Sequence, residues 1–86
     1  MFPNSLKQYR KCFDLSRSEV ADLIGLEGTK ALSKWEKGIS MPDALSFLKL
    51  CIFYSVQPID LYGEVMRELS QDLKSQMEVR LPIIEY

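Results

Sequence analysis

Lys30, Ser33, Lys34 and Lys37 stand at spacings of three and four in a chain of 86 residues. On a helix those spacings gather three ammonium groups and a hydroxyl onto one face. Such a face offers positive charge and hydrogen-bond donors, and it meets either water or a partner. Residues for other chemistries are missing. The chain has no histidine and two cysteines, which is too few ligands for a structural zinc site. Its Gly-x-x-Gly stretch, Gly25 to Gly28, lacks the further glycine and lysine of a phosphate-holding loop. No carboxylate pair sits in a cleft pattern. Catalysis is therefore not expected, and neither is a cofactor or a metal.

The element that must position those donors is a short helix between Gly28 or Thr29 and Lys37. It turns Ala31, Leu32 and Trp35 inward, and Gly38 closes it. Ahead of it, Leu15-Ser16-Arg17-Ser18-Glu19-Val20 spells a helix start. Ser16 caps orphan backbone donors, Glu19 completes a capping box, and Leu15 and Val20 make a hydrophobic staple. Val20, Ala21 and Ile24 give this helix its apolar face, and Gly25 ends it in a left-handed cap. Gly25-Leu26-Glu27-Gly28 links the two helices, with Leu26 plugging the core from the turn. Two helices this short cannot bury their apolar stripes against each other alone, so the flanking segments must complete the core.

Those flanks also read as helical. After Met1-Phe2-Pro3, a short lead, Asn4 or Ser5 caps a first helix that runs to about Cys12. Leu6, Tyr9 and Phe13 face the second helix, while Lys7, Arg10 and Lys11 form the polar side. Arg10 lies one residue from the apolar stripe, where a charge usually has a partner. Pro42 stops the third helix and Asp43 caps a fourth over residues 44–54, apolar around most of its circumference and therefore expected at the centre. Pro58 opens a fifth, with Ile59, Leu61 and Tyr62 completing the core, and Gly63 either ends or weakens it. Cys12 and Cys51 are expected inside as reduced thiols, beside Tyr9 and Phe13 and beside Leu48 and Phe53, rather than as a disulfide or a reactive thiol.

Over residues 64–80 the pattern changes to a narrow apolar stripe on a polar helix, and the chain ends on Leu81-Pro82-Ile83-Ile84-Glu85-Tyr86. This divides the chain into a domain of residues 1–63 and a C-terminal helix or tail of residues 64–86. The stripe either folds back on the core, pairs with a second copy, or belongs to a partly disordered tail. Val65, Met66, Leu69, Leu73, Met77, Ile83 and Ile84 are the candidates for a dimer contact.

Charge is uneven. The formal net charge is -1, which gives no global attraction to a polyanion. Residues 1–38 hold seven Lys or Arg against five Asp or Glu, and residues 39–86 hold four against seven. No apolar run approaches the length of a membrane span, the densest stretch being broken by Ser46, Lys49 and Ser55. A soluble, cytoplasmic protein is expected.

Arg10, the stretch Leu15-Ser16-Arg17-Ser18-Glu19-Val20-Ala21-Asp22-Leu23-Ile24-Gly25, then Leu32-Ser33-Lys34-Trp35-Glu36-Lys37-Gly38, Pro42, Leu48 to Leu50 and Pro58 to Tyr62 together resemble the phage-repressor-like (Cro/C1, Xre) helix-turn-helix family. The resemblance covers about Leu6 to Tyr62. It implies an all-α, five-helix lambda-repressor-like DNA-binding domain, followed here by a C-terminal amphipathic helix or tail. The implied function is sequence-specific binding of double-stranded DNA as a small bacterial transcriptional regulator, a repressor of a phage or another mobile element, acting as a homodimer.

In this family the third helix, about residues 29–37 here, enters the major groove. The resemblance therefore implies that Thr29, Lys30, Ser33 and Lys34 contact bases. It also implies that Arg17 clamps a phosphate at the start of the second helix, with Ser16, Lys37, Ser40 and Lys11 as further phosphate neighbours. Arg10 and Glu36 match the family's structural pair between the first and third helices. The stretch Gly25 to Gly38 is one residue longer than the commonest form of the family, so the turn or the first turn of the reading helix must differ. The acidic back half implies weak non-specific affinity and a reliance on dimer formation. The alternative is a protein-interaction module, such as an antitoxin-like or adaptor protein, that keeps this core and binds a protein partner.

Overall fold

The computed structural model describes residues 1–80. They form five α-helices, α1 (Leu6–Cys12), α2 (Arg17–Ile24), α3 (Lys30–Glu36), α4 (Ala44–Tyr54) and α5 (Pro58–Arg80), with no strand among the described residues. This is the expected all-α, lambda-repressor-like fold.

Helix ends follow from local chemistry. The Ser16 hydroxyl accepts the Glu19 N–H at 3.1 Å and the Glu19 carboxylate accepts the Ser16 N–H at 3.0 Å, closing the capping box that starts α2. Those bonds from the Ser16 backbone and side chain hold the Glu19 carboxyl below its usual range. At the other end Gly25 takes φ 84°, and the Leu26 N–H reaches back to the Ala21 carbonyl at 2.8 Å. Asp43 caps α4 through the Ser46 N–H, and Ser55, at φ 56°, closes it.

The entry to α1 is built differently. Ser5 makes no side-chain cap; the Asn4 side-chain oxygen accepts the Leu6 N–H at 3.0 Å instead. The Asn4 amide donates to the Phe2 and Trp35 carbonyls, both at 2.9 Å, and the Phe2 N–H donates to the Gly38 carbonyl at 2.9 Å. The lead is thus part of the fold, with Phe2 packed on the core. Gly38 is a glycine for two reasons: its φ is 77°, and a Cβ there would stand 2.8 Å from the Phe2 carbonyl oxygen.

Leu6, Val20, Ile24, Leu32, Trp35, Leu50, Tyr54, Leu61 and Tyr62 make the core, drawn from all five helices. Burial pushes the Tyr54 and Tyr62 phenols up to about 12, and neither hydroxyl has a hydrogen-bond partner among the described residues.

Several inward assignments are corrected. α4 is not enclosed: Ser46, Leu50 and Tyr54, four apart, face the core, while Leu45, Leu48 and Ile52 are 63%, 56% and 78% exposed. A helix apolar all round carries no phase, and its neighbours cover one side only. Ile59, in the first turn of α5, is exposed as well. On α1 the buried residues are Leu6 and Arg10, which sets Cys12 about 200° away from Arg10 and in water. Phe13 is also nearly half exposed, although its ring meets Tyr54 edge-on at 5.4 Å. Cys51 is half-buried, and that burial raises its thiol pKa.

α5 runs through Gly63 and kinks one residue earlier, where Tyr62 adopts φ -128° and ψ 45°. The boundary expected at Gly63 lies one residue past this kink. Val65 still packs on the core, but beyond it Met66, Leu69 and Leu73 are exposed. The stripe does not fold back, and the projecting helix accounts for principal extents of 48 × 23 × 20 Å. Met77 is half-buried, and Ile83 and Ile84 lie outside the described residues. No helix among the described residues is long and apolar enough to cross a membrane.

Candidate nucleic-acid interface

At 100° per residue, Ala31, Leu32, Trp35 and Glu36 take the inner half of α3, and Lys30, Ser33, Lys34 and Lys37 take the outer half. Leu32 and Trp35 are buried. A seven-residue helix is marginal in isolation, so neighbouring segments must hold it. Asn4 ties down the Trp35 carbonyl, Phe2 the Gly38 carbonyl, and two arginines the Glu36 carboxylate.

The Glu36 site joins three helices. Arg10 donates through Nε to Oε2 at 2.6 Å and through Nη2 to Oε1 at 3.1 Å, while its Nη1 donates to the Leu15 carbonyl at 2.9 Å. Arg17 donates through Nε to Oε1 at 3.1 Å. The Glu36 side chain is 1% exposed, so its charge is held out of water by guanidinium groups from α1 and α2. The hydrogen bond to Glu36 raises the Arg10 pKa against the desolvation that lowers it. Arg10 is thus a buried clamp rather than a surface cation.

Lys30 and Lys34 are exposed and, with Ser40, line a cleft of about 590 Å³. Leu26, Ala31 and Trp35 supply its apolar wall, and Glu27 and Gly28 border it from the turn. α3 starts at Lys30, so the turn spans residues 25–29. Thr29 is exposed just ahead of the helix, and its side chain makes no capping bond. Ser33 is half-buried and Lys37 exposed.

The opposite flank begins at Arg17, the first residue of α2, which is half-buried and bonded to Glu36. The Ser16 hydroxyl is committed to the capping box. The free donors at that helix end are therefore the backbone N–H groups of Arg17 and Ser18, which have no intrahelical partner. The Glu19 carboxylate beside them weakens the local positive potential. Lys11 is exposed on α1, and no hydrogen bond or ion pair among the described residues ties it to the α3 face.

The structure thus brings Arg17, Lys30, Ser33, Lys34, Lys37 and Ser40 around one helix that a buried ion pair and Trp35 hold in place. Lysines on the outer face of an anchored helix suit the acceptor-rich edge of guanine and the charge of phosphates. Among the described residues no group of metal-ligating side chains is found. Sequence reasoning missed the part played by Phe2 and Asn4. The signals were an aromatic residue within the lead and an Asn at a cap position, but their partners lie more than 30 residues away.

Comparison with known proteins agrees with this layout. The helix-turn-helix family model matches residues 6–61. The cryptic phage CTXphi transcriptional repressor RstR of Vibrio cholerae is 30% identical over 79 residues, an alignment that covers 92% of this chain and 70% of that protein.

Proposed function

The chain belongs to the helix-turn-helix family, in its phage-repressor (Cro/C1, Xre) form and with its character of DNA-binding regulators, and from that premise we propose that it represses transcription as a homodimer in the bacterial cytoplasm, each copy laying α3 in the major groove of duplex DNA. The observation that carries this reading is the division of α3. Leu32 and Trp35 anchor the helix from its inner side, and on the outer side Lys30 and Lys34 line the cleft. Lys30 and Lys34 donate to guanine O6 and N7, and the hydroxyls of Thr29 and Ser33 serve neighbouring base edges. Arg17 spends Nε on Glu36, which aims its two Nη groups at a phosphate. Lys37 and Ser40 hold the backbone on either side, Ser16 keeps the start of α2 open to it, and Lys11 adds charge at the edge.

Selection of duplexes from a random pool, followed by titration of the selected site, tests this. K30E/K34E is expected to lower specific affinity by about 100-fold or more, since each base contact is worth ~1–3 kcal/mol, without changing the thermal midpoint. R17Q is expected to weaken all duplexes alike and to reduce the slope of log K against log salt by about 0.9. Unchanged site affinity in K30E/K34E would remove α3 as the reader. One observation favours the second reading, a protein-interaction module: the exposed row Leu45, Leu48 and Ile52 on α4. In that case K30E/K34E leaves the protein's biological effect intact.

A further inference from the structure

Met66, Leu69, Leu73 and Gln76 follow one another at intervals of three, four and three along α5, which is the heptad spacing of a two-stranded coiled coil. Tyr62, four residues earlier, continues the series into the core, where it is buried. The kink at Tyr62 then carries the helix off the domain, and Met66, Leu69 and Leu73 emerge 38%, 53% and 59% exposed. The charged residues Glu64, Arg67, Glu68 and Lys74 lie on the back of the helix, away from that row. Resting on the homodimer reading above, we propose that the partner of this row is the same row of a second copy, in a parallel, in-register pair that layers Met66, Leu69, Leu73 and Gln76 each against itself.

The flanks of the row decide its direction. Val65, Ser70, Asp72 and Met77 are the side chains bordering it. An antiparallel pair that buries the whole row must set Leu69 against Leu73 of the second copy, and that register brings the two Asp72 carboxylates side by side at the dyad. A parallel pair sets Asp72 opposite Met77 of the other copy and leaves no like charges across the seam. In the same arrangement the two Gln76 amides meet, and each can donate to the other. A polar layer of this kind fixes register, because a slipped pair would bury the amides against leucine. Parallel helices also carry both N-terminal domains to one end of the stalk, where two α3 helices can address two half-sites; antiparallel helices carry them to opposite ends. The seam from Met66 to Gln76 is only about 16 Å long, so the pair is weak in free solution and tightens when both domains hold one duplex.

Disulfide trapping in the full-length chain tests the direction. Cys12→Ser and Cys51→Ala provide a cysteine-free background, into which Met66→Cys and Gln76→Cys are placed singly. In the parallel pair each single variant meets its own copy and forms a disulfide-linked dimer under mild oxidation. In the antiparallel pair like positions are about 15 Å apart, beyond the reach of a disulfide, and only a mixture of the two variants links. Linkage in each single variant, faster than in a Ser75→Cys control on the back of the helix, is the expected result, and linkage in the mixture alone overturns it. Sedimentation equilibrium of the unaltered chain at concentrations on the order of 100 μM, where a micromolar interface is saturated, separates the two levels of failure. A monomer there, and a single copy per duplex, overturns the homodimer reading itself. A dimer that none of these cysteines traps keeps that reading and overturns the α5 seam.

Discussion

α3 and the outer part of α5 are both regular amphipathic helices, yet the shorter one is far better held. α3 has seven residues, with its inward side chains covered and its C-terminal end clamped by Asn4, Phe2, Arg10 and Arg17. α5 has twenty-three residues, and beyond Val65 its apolar residues Met66, Leu69 and Leu73 are exposed among the described residues. Periodicity sets which face of a helix is apolar; it does not say what covers that face. α3 owes its position to distant residues and can therefore be rigid while offering its outer side chains to a partner. The outer part of α5 rests on length and on helix-favouring Glu, Met, Arg, Leu, Gln and Lys, and the core of its own domain does not cover its apolar row.

The sharpest way to break that contrast is to remove one clamp. E36A leaves Arg10 buried without a counter-charge and is expected to cost about 3–5 kcal/mol, read from the midpoint of denaturant unfolding. M66S/L69S/L73S, in protein too dilute to associate, is expected to move that midpoint by less than ~0.5 kcal/mol. Comparable losses in the two variants would show that the outer part of α5 supports the domain after all.

G38A probes the other anchor of α3. A Cβ at φ 77° that also stands 2.8 Å from the Phe2 carbonyl oxygen forces a strained backbone or the release of the N-terminal lead. A loss of about 1–3 kcal/mol is expected, a fall of roughly 4–8 °C in the thermal midpoint for each kcal/mol in a domain this small. No change would mean that the lead clamps nothing.

The smallest effect concerns the core beneath both helices. Tyr54 and Tyr62 hold their protons up to about 12 in the fold, whereas an unfolded tyrosine ionises near ~10. With raised folded values, the stabilisation is whole below about pH 10. It declines as pH rises towards the folded values, because the unfolded chain releases protons first. Y54F/Y62F is expected to flatten that alkaline decline. At neutral pH it should change stability by no more than ~1 kcal/mol, in the favourable direction if at all, because neither hydroxyl has a partner to lose among the described residues.

Much of the fold was legible because it is written in near neighbours. Ser16 and Glu19, Gly25, Asp43 with Ser46, and Pro58 at the start of α5 are each recognisable within four residues, and each stands where local chemistry puts it. The site was legible in its facing: Leu32 and Trp35 inside, Lys30, Lys34 and Lys37 outside. α4 was the element least readable, since Leu45, Leu48 and Ile52 have the same chemistry as the buried Leu50. Cys12 was misplaced because a small apolar residue next to an aromatic pair looks like core, while the buried face of α1 turns on Leu6 and Arg10.

The sequence by itself determined where α2 begins and ends, where α4 and α5 begin, and which residues α3 could spare for a partner, because capping and amphipathic spacing act between residues three or four apart. Only the tertiary structure decided that Arg17 shares Glu36 with Arg10, that Asn4 and Phe2 pin the end of α3, and which side of α4 is left in water. Those outcomes depend on which distant segments pack together, and a charge or an apolar side chain carries no mark of its partner until the chain has closed around it.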